Sequence, residues 1–467
     1  MARFSHGVAS VKMGPAGVGL LVFALVGALG AGCAMQPAAG EVGNATAGSP
    51  APASIAAQPS NPFAPPLPPN GFDPERAFLT LSQVPDAPPP IEAAPADEPE
   101  LPRQAIRHME EARRLFAEER YSETVVQAGK ALRYNQDIVE AHRLAALASL
   151  LLGKIAEAQT HADAAIAVRP DDLACRYVRG RLAEKAQEPK AALFEYRIAL
   201  NCPAPDQSDE LRTLVHHQLG LLLNEMGYYR AAADQLKAFE AAAQKIVEPK
   251  HPELASILRT KRTVPLLALA EAQEALSEFG PAADTLLAVL DHTPDDHAIR
   301  VRYIKDLVRA HRFDDAQAEA TRHAAARRDL ASAELLVAVY RAGGQPDLAI
   351  PALQKLAADN PDNTELALFH ADTLIAAKQF DRAAAALNDL IAQGKDPAAA
   401  RWKLIALHRA RGDYQGWIRA MGAQLAADPA DAPRGLSELA RIGPDEAKSI
   451  IDQALSRRAP VATQPDD

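Results

Sequence analysis

Thirteen histidines, three cysteines and sixty carboxylates give this 467-residue chain material for acid–base, metal or thiol chemistry, yet almost none of it is spaced for such work. His216 and His217 are adjacent. On a helix, neighbours diverge by about 100°, a poor geometry for chelating one ion, so one packed and one exposed imidazole is expected. Glu110-Glu111 and Glu118-Glu119 read as solvated helix faces. A Gly-rich phosphate loop, an H-E-x-x-H helix and a G-x-S-x-G elbow are all missing from the sequence. The formal net charge is −10, and no basic stripe carries interleaved aromatics, which argues against nucleic acid as a partner. The sequence therefore predicts no catalytic residue, no metal, no cofactor and no small-molecule substrate.

What the chain does space regularly is small residues. Thr124, Ala158, Ala192, Ala232, Ala282, Ala316, Ala349, Ala383 and Trp417 follow one another at intervals of 34, 34, 40, 50, 34, 33, 34 and 34. Three residues before each stands a bulky residue or Pro: Tyr121, Ile155, Pro189, Tyr229, Phe279, Phe313, Pro346, Phe380 and Tyr414. Gly153, Gly227, Gly344 and Gly412 lie two residues earlier again, where a turn between paired helices needs positive φ. Pro170, Pro294, Pro361 and Pro429 close repeats in RPDD, TPDD, NPDN and DPAD, each a helix stop followed by capping residues. A hydrophobic fraction of 48% with only 5% aromatics fits Ala/Leu helix packing rather than a sheet sandwich. A fixed period near 34 marks a solenoid of helical hairpins.

With its Leu219-Gly220 pair and its Tyr, Ala and Pro slots at this period, the chain resembles tetratricopeptide-repeat (TPR) proteins. The resemblance implies an all-α, right-handed α-solenoid of about nine hairpins within residues 102–457. A helix around Pro444 to Arg457 would serve as its cap, and 458–467 would form a flexible tail. The family's first-helix Trp is absent, and Trp417 occupies a small-residue slot, so the last repeat is expected to pack differently. In the family, the first helices line a concave groove that takes protein or peptide partners. Carried over, this predicts contacts from Arg143/Leu147/Leu150, Tyr177/Arg181/Glu184 and His217/Leu221/Asn224. Farther along it predicts Val301/Lys305/Val308, Glu334/Ala338/Arg341 and Trp402/Ala406/Arg409. Tyr177 and Arg181 are the expected centre.

Two irregularities interrupt the period. Six extra residues fall near Asn201 to Ser208, a loop by composition. Sixteen more fall after Ala231 to Val247, which reads as one lengthened helix broken at Glu248-Pro249-Lys250-His251-Pro252. This stretch is either a partner-contacting or hinge element or, as preferred here, a tolerated insertion at a hairpin tip. Cys175 and Cys202 lie at the start and the end of one hairpin, so they are either a disulfide or two buried thiols.

Residues 1–33 carry Arg3 and Lys12, then an uncharged apolar run from about Gly17 to Leu29, the shape of an export signal. Leu29-Gly30-Ala31-Gly32-Cys33 resembles the lipobox of bacterial lipoproteins, which implies lipidation at Cys33; an uncleaved anchor and plain secretion are the alternatives. Ala34 after the Cys favours the outer membrane by the enteric sorting rule. Residues 34–101 hold nearly half of the chain's 36 prolines and eight carboxylates against one base, Arg76. They read as a disordered tether, with the island Ala77-Phe78-Leu79-Thr80-Leu81 as a collapsed apolar scrap rather than a docking peptide. The expected function is a periplasm-facing scaffold or recruitment factor. The alternatives are a structural spacer between envelope layers and a regulatory subunit of a cell-wall enzyme.

Overall fold

Short Ala/Leu-rich segments that end every 12–17 residues at a Gly, a Pro or a left-handed residue can only form short helices that fold back on themselves. The computed structural model describes residues 62–64, 72–91, 101–202 and 209–456, the last six of these as backbone alone. Among them every regular element is helical. A four-residue helix, α1 (Pro74–Ala77), precedes α2 (Arg103–Ala117) paired with α3 (Tyr121–Leu132), and α4 (Val139–Leu151) with α5 (Ile155–Val168). Then come α6 (Leu173–Lys185) with α7 (Pro189–Asn201), and α8 (Asp209–Glu225) with α9 (Tyr229–Ala243). A lone helix, α10 (Pro252–Thr260), separates these from α11 (Thr263–Ala275) with α12 (Phe279–His292), and α13 (His297–Arg309) with α14 (Phe313–Arg327). The remainder is α15 (Leu330–Ala342), α16 (Pro346–Ala358), α17 (Thr364–Ala376), α18 (Phe380–Ala392), α19 (Pro397–Arg411), α20 (Tyr414–Ala427), α21 (Ala432–Ala440) and α22 (Pro444–Ser456). Both helices of each of the nine repeats expected from the period are present in sequence order. The chain divides into two compact units, residues 61–327 with 334–345, and residues 328–333 with 346 onward.

One turn geometry recurs. The residue between paired helices takes positive φ at Gly153, Gly227, Gly344 and Gly412, as the sequence predicts. It does so also at Glu119, Gln187, Ser277, His311 and Lys378, where a side chain is strained. Behind each turn a backbone N–H reaches five residues back, as from Lys154 to the Ser149 carbonyl at 2.8 Å, and so satisfies an orphan carbonyl of the first helix. Across the hairpins a polar clasp repeats at one register: His108 with Gln127, His142 with His161, Arg176 with Glu195, His216 with Gln235, and Arg300 with Glu319. His216 is thus half-buried and clasped rather than exposed, because its slot faces the second helix.

All nine small-residue slots are buried, from Thr124 to Trp417. At the last, the close approach moves one residue back: a Cβ on Gly416 would collide with His408 and Asp413. That shift lets Trp417 join Trp402, Ile405 and Met421 in a cluster covered by Leu439 and Ile442.

Two expectations fail. The lengthened helix ends at Ala243, and the extra residues form α10 instead, because Pro252 at the first helical position starts a new helix. Nor is the whole of 34–101 a free tether. Phe72, Ala77, Leu79, Leu81, Val84 and Ile91 pack into the core of the larger unit, with Ala77 and Val84 fully covered. Phe72 stacks on Tyr229 at 6.0 Å, and Arg76 lies over the Tyr228 ring and donates to the Met226 carbonyl. Arg197 donates to the carbonyls of Val84 and Pro85, and Arg309 to those of Phe63 and Ala64. The apolar side chains gain more from these hollows than the short segment loses in ordering. Residues 1–61, 65–71, 92–100, 203–208 and 457–467, with the readings placed on them, lie outside the described residues.

The turn and the slot generate predictions of opposite sign. Gln187→Gly, five residues before Ala192, should relieve the left-handed strain and stabilise by about 1 kcal/mol. Ala192→Leu should overpack and cost about 1–3 kcal/mol. Chemical denaturation of both variants checks them; no change in either midpoint would mean that this register is mistaken.

Candidate functional site

The first helices were expected to present an open face. On α6 and α8 that face is filled from within the chain. Tyr177 and Arg181 stand one turn apart on α6, and the inserted α10 brings Glu253 onto both. Tyr177 Oη donates to Glu253 Oε2 at 2.7 Å, Arg181 Nη1 pairs with Glu253 Oε1, and Gln218 Nε2 on α8 donates to the same oxygen at 3.3 Å. Arg181 also lies 5.9 Å from the Tyr177 ring centroid and 3.1 Å from a Glu184 oxygen. At the start of α10, the backbone N–H groups of Lys250 and His251 donate to Glu210 at 2.9 and 2.6 Å. Leu254 and Ile257 are buried in the core cluster, and the His251 ring faces Phe116 of α2 at 6.3 Å. Tyr177 is consequently inaccessible, with 0% of its surface exposed. The insertion, read as tolerated, is a packed element.

Close approach on α6 is secured by Gly180, where any Cβ would overlap the Tyr196 ring. Burial would raise the Glu253 carboxyl, but Arg181 and the Tyr177 hydroxyl outweigh it and hold the group below its usual range. Glu184 is instead raised to about 7 by burial, against the opposing pull of Arg181. Burial, helped by Arg181, lowers His217 to about 4, and burial lowers His251 as well.

The other predicted contacts are mostly engaged too. Arg143 sets Nε and Nη2 on Asp172 Oδ2 at 2.9 and 2.6 Å, and Asp172 also caps α6 at Cys175. Leu147 and Leu150 are core residues rather than an apolar shelf. His217 packs 5.1 Å from the Phe239 ring, and Asn224 donates to Glu271 at 3.1 Å. In the smaller unit Trp402 Nε1 donates to Asp431 at 2.8 Å, under the guanidinium of Arg434. Arg409 holds Glu446 at 2.9 Å and Glu438 at 3.3 Å, so the C-terminal helices cover this face. Lys305 is half-buried and Arg341 exposed. No ion pair or hydrogen bond engages the side chain of either among the described residues.

Cys175 and Cys202 are free, buried thiols, not a bridge. Cys202 Sγ donates to the Ile198 carbonyl at 3.4 Å. Burial pushes Cys202 up to about 12 and Cys175 well above its ordinary value, so neither is a nucleophile at neutral pH.

The buried histidine beneath α10 yields a pH prediction. Folded His217 stays neutral to about pH 4, whereas the unfolded side chain binds its proton near 6.5. Its contribution is therefore intact above 6.5 and lost as pH falls toward 4. Glu184, raised in the fold, shifts stability the other way as pH falls. The signature is thus the stability difference between wild type and His217→Gln, which should move against wild type by about 3 kcal/mol at most across that window. Parallel stability curves would show that the imidazole does not titrate in place.

Residues 340–407 match the family model described as tetratricopeptide repeat. No curated protein matches the chain. Among solved structures, a tetratricopeptide repeat protein from Parabacteroides merdae is 13% identical, covering 66% of this chain and 99% of its own, with a TM-score of 0.31. A thermophilic TPR protein of Thermus thermophilus is 22% identical over 44% of this chain and 99% of its own, at 0.29. YrrB, described as a TPR protein with an unusual peptide-binding site, is 18% identical over 42% and 89%, at 0.30. Residues 340–407 thus match the tetratricopeptide repeat, and the same hairpin recurs at the same period through the described residues, so the fold is a tetratricopeptide-type α-solenoid.

Proposed function

We propose that this protein is an exported scaffold, held to a membrane through a lipid on Cys33, that gathers protein or peptide partners in the cell envelope as an assembly or recruitment factor. The tetratricopeptide fold implies a protein–protein interaction scaffold. The observation that carries the envelope reading is Leu29-Gly30-Ala31-Gly32-Cys33 closing an uncharged apolar run. Among the described residues no helix is long and apolar enough to cross a membrane. The outer membrane is the favoured destination, from Ala34. Lys305 and Arg341, on first helices of the larger unit, are two of the cations to which a partner's carboxylates can attach without first breaking an ion pair. A second reading, a structural spacer between envelope layers, is favoured by one observation: seven of the nine candidate contact residues are engaged or buried within the chain itself.

Cys33→Ser should accumulate an unprocessed precursor and abolish labelling by a radioactive fatty acid. Wild-type protein that takes up no label would end the lipoprotein reading. Lys305→Glu with Arg341→Glu should cut the yield of partners crosslinked in intact envelopes several-fold. Unchanged capture would leave the spacer as the better account.

A further inference from the structure

The inserted helix α10 does not belong to the repeat stack. Helix α9 packs directly on α11, so the hairpins on either side meet without it. Its fixings lie instead on first helices of earlier hairpins, 35 to 76 residues back in sequence: Tyr177 and Arg181 on α6, Glu210 and Gln218 on α8. Pro249 and Pro252 break the chain on one side of it, and Lys261 leaves helical geometry on the other. The contact is also imperfectly satisfied. Both ring nitrogens of His217 and of His251 are buried without a hydrogen-bond partner, a desolvation that the closed arrangement does not recover.

We infer that α10 is a displaceable occupant of the first-helix face, and that the external partner taken there is a helical peptide with a carboxylate followed by apolar residues one and four positions later. The resident segment defines that chemistry. Glu253 fills a fork made by a guanidinium, a phenol and an amide, while Leu254 and Ile257 insert into the apolar floor. Arg181 and Tyr177 are buried by their occupant, as the centre of a recognition face is when its ligand is bound. A partner of the same pattern would compete with α10 for a site already shaped to it. Its apparent affinity would be reduced by the fraction of chains in the closed form. The inference rests on the protein-binding reading above, but its test uses no envelope partner, so the two can fail separately.

The probe is a fluorescein-labelled peptide with the sequence of residues 247–262, titrated against the full chain by anisotropy. In the full chain carrying Glu253→Lys, which opposes Arg181, the resident helix is unlatched. That variant should bind the peptide at least tenfold more tightly than wild type does, and a peptide carrying Glu253→Gln should lose most of the gain. Equal binding by wild type and a variant of unchanged helical content would overturn the inference, as would indifference to the Gln substitution. Hydrogen exchange on the wild-type chain provides a second test that no variant can spoil. Amides of 253–260 should exchange faster than those of α6 and α8, and faster still with saturating unlabelled peptide. Protection equal to that of α6 and α8, unmoved by peptide, would make α10 a fixed part of the core and overturn the displaceable latch.

Discussion

A hairpin of two short helices cannot bury its own apolar stripe, and the close approach at the small-residue slots is what the rest of this structure depends on. From Thr124 through Ala383 the second helix of each pair carries a residue small enough to let a neighbouring backbone come near, and every one is buried. The left-handed turn two residues before each second helix fixes its direction. Once direction and approach are set, the polar clasps at i and i+19 fall into register without further instruction. The longer intervals of 40 and 50 residues are accommodated between hairpins rather than within one, because inside a pair they would destroy that geometry.

The pair between Arg181 and Glu253 belongs to a different category. Both side chains are largely withdrawn from water, about four-fifths in each case, so desolvation offsets much of their attraction. Such a pair adds little net stability against an apolar replacement, whereas removing one partner strands the other. Its value is positional: Tyr177, Arg181 and Gln218 converge on one carboxylate, and only one placement of α10 satisfies all three.

The hairpin frame was legible because it is written in local spacing. Small residues 34 apart and glycine before the second helix reflect contacts within a pair or between adjacent pairs. The left-handed turns at Glu119, Gln187, Ser277, His311 and Lys378 were invisible for want of glycine, since the stack imposes that conformation on whatever residue is there. The site was less legible. Periodicity put Tyr177, Arg181 and Trp402 on the right helix face, but exposure depends on what else lies on that face. Glu253 is 72 to 76 residues away from its partners on α6, and Asp431 is 29 residues from Trp402. No residue pattern in either segment announces the meeting. The segment around Phe72 to Ile91 was misjudged for a related reason: proline and acid content describe a chain in isolation, not one offered hollows lined by Tyr228 and Tyr229.

Together with residues 62–64, that segment meets the repeats in reverse order. Phe63 and Ala64 meet Arg309 of the sixth hairpin, Arg76 meets the turn of the fourth, and Val84 and Pro85 meet Arg197 of the third. Arg309 and Arg197 grip main-chain carbonyls, which a proline-rich stretch always has to offer, so the grip is indifferent to side-chain identity. The arrangement has a mechanical consequence. Tension on the chain ahead of residue 62 enters the folded body at the sixth hairpin, passes to the fourth and then to the third, and reaches the first hairpin only after all three clamps have yielded. The terminal repeat, which would otherwise fray under load, is shielded by the interior ones.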